Sequence, residues 1–232
     1  RVDSQHLHPI ESTSDRINRP AALAASPDGH EIYTTSFRTG EIVVLDRRCD
    51  VKRRLKAPSQ LNQCRTLTLG PDGLLYAPQT RSDTVVGGLV FDRTVFPVVA
   101  VADPQGKTVS IGYHPDLVVI PPHRPVEVAV DSRYLYLASA GSDDVVAIDR
   151  KTGFAKWHAK GVGKEPGGLL LDTARRQMYV LTVTGQEIVT LDERSGKPVS
   201  RVKFTRDPTP EKVARGRYLF GTATDKRLTK DQ

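Results

Sequence analysis

The chain has 232 residues, 38% hydrophobic and 6% aromatic, and a formal net charge of +7. No apolar run approaches the ~20 residues of a membrane-spanning helix, and the few aromatics give no stacking platform for single-stranded nucleic acid. The cations gather at Arg47-Arg48 with Lys52-Arg53-Arg54, at Arg175-Arg176 and from Lys212 to Arg217, which suits either plain solubility or an acidic partner.

Residues 1–16 open on the polar Arg1-Val2-Asp3-Ser4 and read as a tail without signal-peptide character. From residue 17 one pattern is written four times. Each copy has a first strand opening at Pro20, Cys64, Pro125 or Pro166. A strand carrying Tyr33, Tyr76, Tyr136 or Tyr179 follows, and then an aliphatic strand closing on Asp46, Asp92, Asp149 or Asp192. Such a period, roughly 40 residues of short strands, belongs to radial or solenoidal arrays whose units bury their faces only against neighbours.

The first copy predicts strands at 20–25, 31–36, 41–46 and 51–56. Ser26-Pro27-Asp28-Gly29 forms the first turn, with Pro and Gly where a tight turn wants them. In the third and fourth copies Asp149-Arg150-Lys151-Thr152-Gly153 and Asp192-Glu193-Arg194-Ser195-Gly196 end on Gly, as a hairpin closing in a left-handed residue requires. The Tyr-to-Asp spacing is 13 residues in copies one, three and four but 16 in copy two, which implies a small insertion near Gly87-Gly88.

The fold class is therefore all-β, with four-stranded blades at 17–58, 59–101, 123–162 and 163–205. An ordered excursion is expected at 102–122, where Pro104, Pro115, Pro121 and Pro122 fall. Residues 206–232 change character. Thr209 is placed to cap, Pro210 to open and Glu211 to favour a short helix with Val213, Ala214, Arg217, Tyr218 and Phe220. A loop follows.

The four copies resemble the YVTN-type β-propeller repeat over about residues 17–205. That family's blades commonly number seven, so the resemblance implies a larger ring and sheet faces left open for further blades. A propeller by itself specifies no activity. Glu211-Lys212-Val213-Ala214-Arg215-Gly216-Arg217-Tyr218-Leu219-Phe220, with Asp225-Lys226-Arg227-Leu228-Thr229 after it, resembles the lead-in to a di-haem cytochrome c peroxidase or MauG-type domain. There this helix end precedes the first Cys-x-x-Cys-His haem attachment motif. The given sequence holds no such motif. The resemblance implies haem c in a continuation or a partner chain, a periplasmic or secreted bacterial setting, an acidic redox partner, and no cofactor held by these residues.

In a propeller the residues just before each first strand ring one channel mouth. Here they are Asn18-Arg19, Asn62-Gln63, His123-Arg124 and Lys164-Glu165. They read as a ring for an anionic ligand or a partner's loop; the plainer alternative is a solvated rim. One His and one carboxylate make poor material for a divalent metal, which ranks a lactonase-like hydrolase last. No catalytic residue and no metal site is assigned.

Cys49 and Cys64 either form a disulfide or stay as two thiols, since spacing says nothing of Cα distance. Asp28, Asp46, Asp72, Asp92, Asp149 and Asp192 read as turn aspartates, and the four tyrosines as packing residues. His6, His8, His30, His114, His123 and His158 show no ligand spacing, and His123, Trp157 and Tyr113 are the residues to watch for docking or electron relay. Three functions remain: the propeller part of a haem redox protein, a non-catalytic binding propeller, and the hydrolase.

Overall fold

The computed structural model describes residues 17–82, 95–115, 123–205 and 207–225. It is mostly β, with one short helix among the described residues. Blade I is β1 (Pro20–Ala25), β2 (Glu31–Ser36), β3 (Ile42–Asp46) and β4 (Val51–Leu55). Blade II is β5 (Leu61–Asn62), β6 (Thr68–Leu69), β7 (Leu75–Ser82), β8 (Val95–Ala102) and β9 (Ser110–Tyr113). Blade III is β10 (Pro125–Val130), β11 (Tyr134–Ser139), β12 (Asp144–Asp149) and β13 (Ala155–Ala159). Blade IV is β14 (Pro166–Asp172), β15 (Gln177–Thr182), β16 (Glu187–Asp192) and β17 (Pro198–Lys203). Blades I, III and IV are four-stranded sheets in sequence order, and the second sheet runs β5-β7-β8-β9 with β6 also on β7. The chain divides into two compact units, Arg1–Val95 with Val99–Gly112, and Phe96–Val98 with Tyr113–Gln232.

The turns close as the residues dictate. Asp46 Oδ1 accepts from the backbone N–H of Arg48 at 2.8 Å, and Asp149 Oδ1 from that of Lys151 at 3.0 Å. Asp28, Asp72 and Asp192 do the same in their turns. Asp92 lies outside the described residues, as do His6, His8, Gly87, Gly88, Pro121 and Pro122. Tyr33, Tyr76 and Tyr136 are buried, and each phenol donates to a carboxylate near the first turn: Glu31, Asp72 and Asp131.

Two elements differ from the sequence expectation. Among the described residues, the strand of blade II beside β7 is β8 (Val95–Ala102); the expected strand end at Asp92 lies outside them. Asp103-Pro104-Gln105-Gly106 makes the hairpin that follows β8. Asp103 Oδ1 accepts the Gln105 N–H at 2.9 Å, and the Gly106 N–H bonds to Asp103 O at 2.9 Å. The supposed excursion thus supplies that hairpin and the outer strand β9, and blade II runs to residue 113 rather than 101. The helix, α1 (Glu211–Gly221), begins after Pro210 without a side-chain cap. Thr209 does not cap it: its N–H bonds to Asp207 Oδ1 at 2.9 Å and its hydroxyl accepts from Arg217 at 3.2 Å. No residue of α1 is buried, and Phe220 is 97% exposed.

In the first unit the buried Glu31 carboxylate accepts from Lys52 Nζ at 2.6 Å, Arg53 Nη2 at 2.9 Å and Gln105 Nε2 at 3.3 Å. Burial alone would push this carboxyl up, but the two cations more than offset it and hold it below the usual glutamate range. In the second unit, blade III turns Tyr136, Ala138, Val145 and Ala147 onto Met178, Val180, Val189 and Leu191 of blade IV. These residues exclude water completely, and burial of this kind supplies the dominant stabilising term. The opposite face of blade IV is bare. Leu181, Ile188 and Val202 pair across β15, β16 and β17 in one row, and they are 40%, 39% and 60% exposed.

Candidate functional site

Blades I, III and IV open their first strand directly after a residue in the left-handed region, and blade II has such a residue just after β5. These are Arg19, Gln63, Arg124 and Glu165, with φ between 55° and 59°. An L side chain adopts that conformation at a cost of roughly 1–2 kcal/mol. In three blades a bulge follows, at Pro20/Leu23, Pro125/Glu127 and Pro166/Gly168. In the same blades the carbonyl of the left-handed residue accepts an N–H just past the second strand: Phe37 on Arg19 at 3.0 Å, Ala140 on Arg124 at 3.0 Å, Val183 on Glu165 at 2.9 Å. The mouth residues thus owe their direction to one repeated backbone device.

In the first unit, Arg19 and Arg65 place their guanidinium carbons 4.6 and 5.0 Å from the centre of the Phe37 ring, a cation–π arrangement. Asn18 contributes its carbonyl to the Ser36 hydroxyl at 2.6 Å. Asn62 donates to the Ser82 hydroxyl at 2.6 Å, and Gln63 is exposed.

In the second unit the mouth residues form a network. Arg124 Nη2 lies 2.7 Å from Glu165 Oε1, and the other carboxylate oxygen accepts from the Thr184 hydroxyl. The Glu165 N–H donates to Asp143 Oδ1 at 2.8 Å, and the Tyr218 hydroxyl of α1 donates to Asp143 Oδ2. Lys164 Nζ sits 5.4 Å from the centre of the Tyr218 ring. The Ala223 N–H reaches Gly141 O at 2.6 Å, and a Cβ at Gly221 would lie 2.7 Å from Arg124 Nη1. The C-terminal end of α1 is therefore strapped to the mouth of blades III and IV. His123 enters through its backbone: its N–H donates to Ser142 Oγ at 3.0 Å, and that hydroxyl donates to Asp144 Oδ1 at 2.9 Å. His158 Nε2 closes on Asp144 Oδ2 at 2.8 Å.

Sequence alignment of the blades located Arg124, Glu165 and Lys164 but missed Asp143, Thr184 and Tyr218. The available signal for Asp143 was positional. It stands in the turn where blade I has Gly40 and blade IV has Gln186, all three left-handed. Burial raises the Asp143 carboxyl above the usual aspartate range, while the Tyr218 hydroxyl and the Glu165 N–H work against that rise. Every carboxylate in this network has a committed donor. Such a set holds a segment in place; it pairs no nucleophile with a base.

Cys49 and Cys64 stand as separate thiols rather than a disulfide. Cys49 is the left-handed residue of the β3–β4 turn, whereas Cys64 is fully buried, and burial pushes its thiol up to about 12. Neither has a Cys-x-x-Cys-His context, so these residues do not fit covalent haem attachment. Trp157 donates to the Glu193 carbonyl at 2.9 Å and Tyr113 to the Arg150 carbonyl at 3.5 Å, which gives both structural tasks. Among the described residues, no three of His, Cys, Asp and Glu gather where they could hold a metal ion. No described helix is long and apolar enough to cross a membrane.

No family model matches the chain, and no curated protein matches it in sequence. Solved chains that match it in structure number 1046, a breadth that fits a widely used fold and singles out no activity. One is the hydrazine synthase of Kuenenia stuttgartiensis, 15% identical, with a TM-score of 0.68 over 82% of this chain and 63% of that one. At that identity the likeness shows the fold alone, and this chain spans less than two thirds of that structure's length. The chain is thus an all-β protein of four antiparallel blades in the β-propeller manner.

Proposed function

We propose that these residues are the propeller portion of a secreted or periplasmic c-type cytochrome redox protein of the cytochrome c peroxidase or MauG kind. In this reading the propeller docks and positions a partner, and the bond chemistry belongs to a haem-bearing domain or chain. The haem would supply one-electron chemistry there; no residue of this chain takes part in that step. The observation that carries the reading is the seat of α1. Its Gly216-Arg217-Tyr218-Leu219-Phe220 is the stretch that resembles the cytochrome lead-in, and Tyr218 of that stretch is bonded to the mouth through Asp143 and Lys164. A helix fixed at this point gives whatever it leads to a defined position over blades III and IV. The net charge of +7 favours an acidic redox partner by steering. The fold likeness to a hydrazine synthase is compatible with such a setting.

The same network supports a second reading, a binding propeller without redox work, because its carboxylates and cations hold a segment rather than react. Absorbance and intact mass of the full-length protein from its source separate the two. A Soret band with added haem mass is the expected result. A colourless protein whose mass is polypeptide alone leaves the binding module.

A further inference from the structure

At the end of blades III and IV away from the mouth, their turns border an open hollow of about 450 Å³, lined by Arg133, Tyr134, Lys156, Arg176, Glu193 and Arg194. The lining carries four cationic side chains against one carboxylate. Glu193 Oε1 lies 2.9 Å from the Tyr136 hydroxyl, whose single proton it shares with Asp131. Arg133 is steadied at the rim, its guanidinium carbon 5.1 Å from the Tyr134 ring centre and its Nε 3.7 Å from Asp149. Lys156, Arg176 and Arg194 have no ion-pair partner among the described residues. Arg175, next to Arg176, lies 2.7 Å from Asp172, and Arg201 is paired with Glu187. Arg176 moreover holds its position from a left-handed backbone with φ 55°.

Like charges around one hollow repel. Guanidinium groups present planar forks that match the oxygens of a phosphate. The volume lies within the range of small-molecule sites. We infer that this hollow binds a phosphate-bearing small molecule with two or more negative charges, its phosphate held by Arg176 and Arg194, with Lys156 and Arg133 at the margin.

The test is calorimetric titration of the full-length protein with inorganic pyrophosphate, at constant ionic strength set with chloride. Saturable binding at one site is expected. Arg176→Ala and Arg194→Ala should each weaken it about tenfold, the size of one charge-assisted hydrogen bond. Arg215→Ala, on the exposed side of α1, should leave it unchanged. Arg194→Lys, which keeps the charge and loses the fork, should fall between. The exposed side chains changed here leave the core intact, and circular dichroism of each variant checks the fold. No saturable binding overturns the inference. So does equal weakening by Arg215→Ala, which would reveal diffuse charge rather than a site. So does uptake of an acidic peptide with none of pyrophosphate, which would make the hollow a protein-docking patch.

Discussion

Glu31 shows how much one side chain can organise. It is nearly buried, and Lys52, Arg53, Gln105 and Tyr33 all donate to it. Glu31→Gln keeps the shape but removes the charge, leaving Arg53 facing a neutral amide. We expect a loss of about 1–3 kcal/mol in urea unfolding, the range for hydrogen bonds to charged groups and for partners left unsatisfied. The pH dependence has a defined sign. This carboxyl is held below its ordinary value of 4.5, so its stabilisation is complete above that value. It is lost as pH falls from 4.5 through the lower folded value. Stability of the parent chain should therefore drop over that acid window, and the Gln variant should show a shallower drop. An identical acid profile in both would mean that Glu31 is not the titrating group.

The hairpin between β16 and β17 shows the same economy at the level of an element. Gly196 has φ 68°, and a Cβ there would lie 2.5 Å from the Trp157 ring. Gly196→Ala thus meets both a backbone cost and an overpacked contact, and about 2–4 kcal/mol of destabilisation is expected from thermal unfolding. Trp157 is the chain's single tryptophan, so its fluorescence should report the displacement directly. This hairpin was readable in advance because Asp192 and Gly196 are four apart in a turn that demands both. Blade II was not readable in the same way: its hairpin at Asp103-Pro104-Gln105-Gly106 falls in a stretch whose prolines read as an excursion. The mouth was half legible. Repetition places Arg124 and Glu165 at matching points of two blades, but their contact joins positions in separate blades, and no local pattern encodes it. Tyr218 meeting Asp143 is further still from anything a repeat can reveal.

At the scale of the molecule, the bare face of blade IV departs from a finished surface. Tyr136, Ala138 and Val145 of blade III hold the positions that Tyr179, Leu181 and Ile188 hold in blade IV, and in blade III those positions are sealed by the next blade. The row Leu181, Ile188 and Val202 lacks that cover. The 232-residue chain should associate with rising concentration in sedimentation velocity, and Leu181→Ser with Ile188→Thr should suppress this. A parent chain that stays monomeric at every concentration would show that the face is tolerated bare.

The left-handed residues that open the blades offer an unusual control. At Arg19, Gln63, Arg124 and Glu165 the backbone geometry suits glycine better than the residue present. Stability has been given up at these points within each unit, and at Arg124 and Glu165 it sets the side chains that hold α1. Replacing them with glycine removes the chemistry while relaxing the turn. A ligand or partner lost by such variants would be lost because its handholds are gone, with the scaffold still standing.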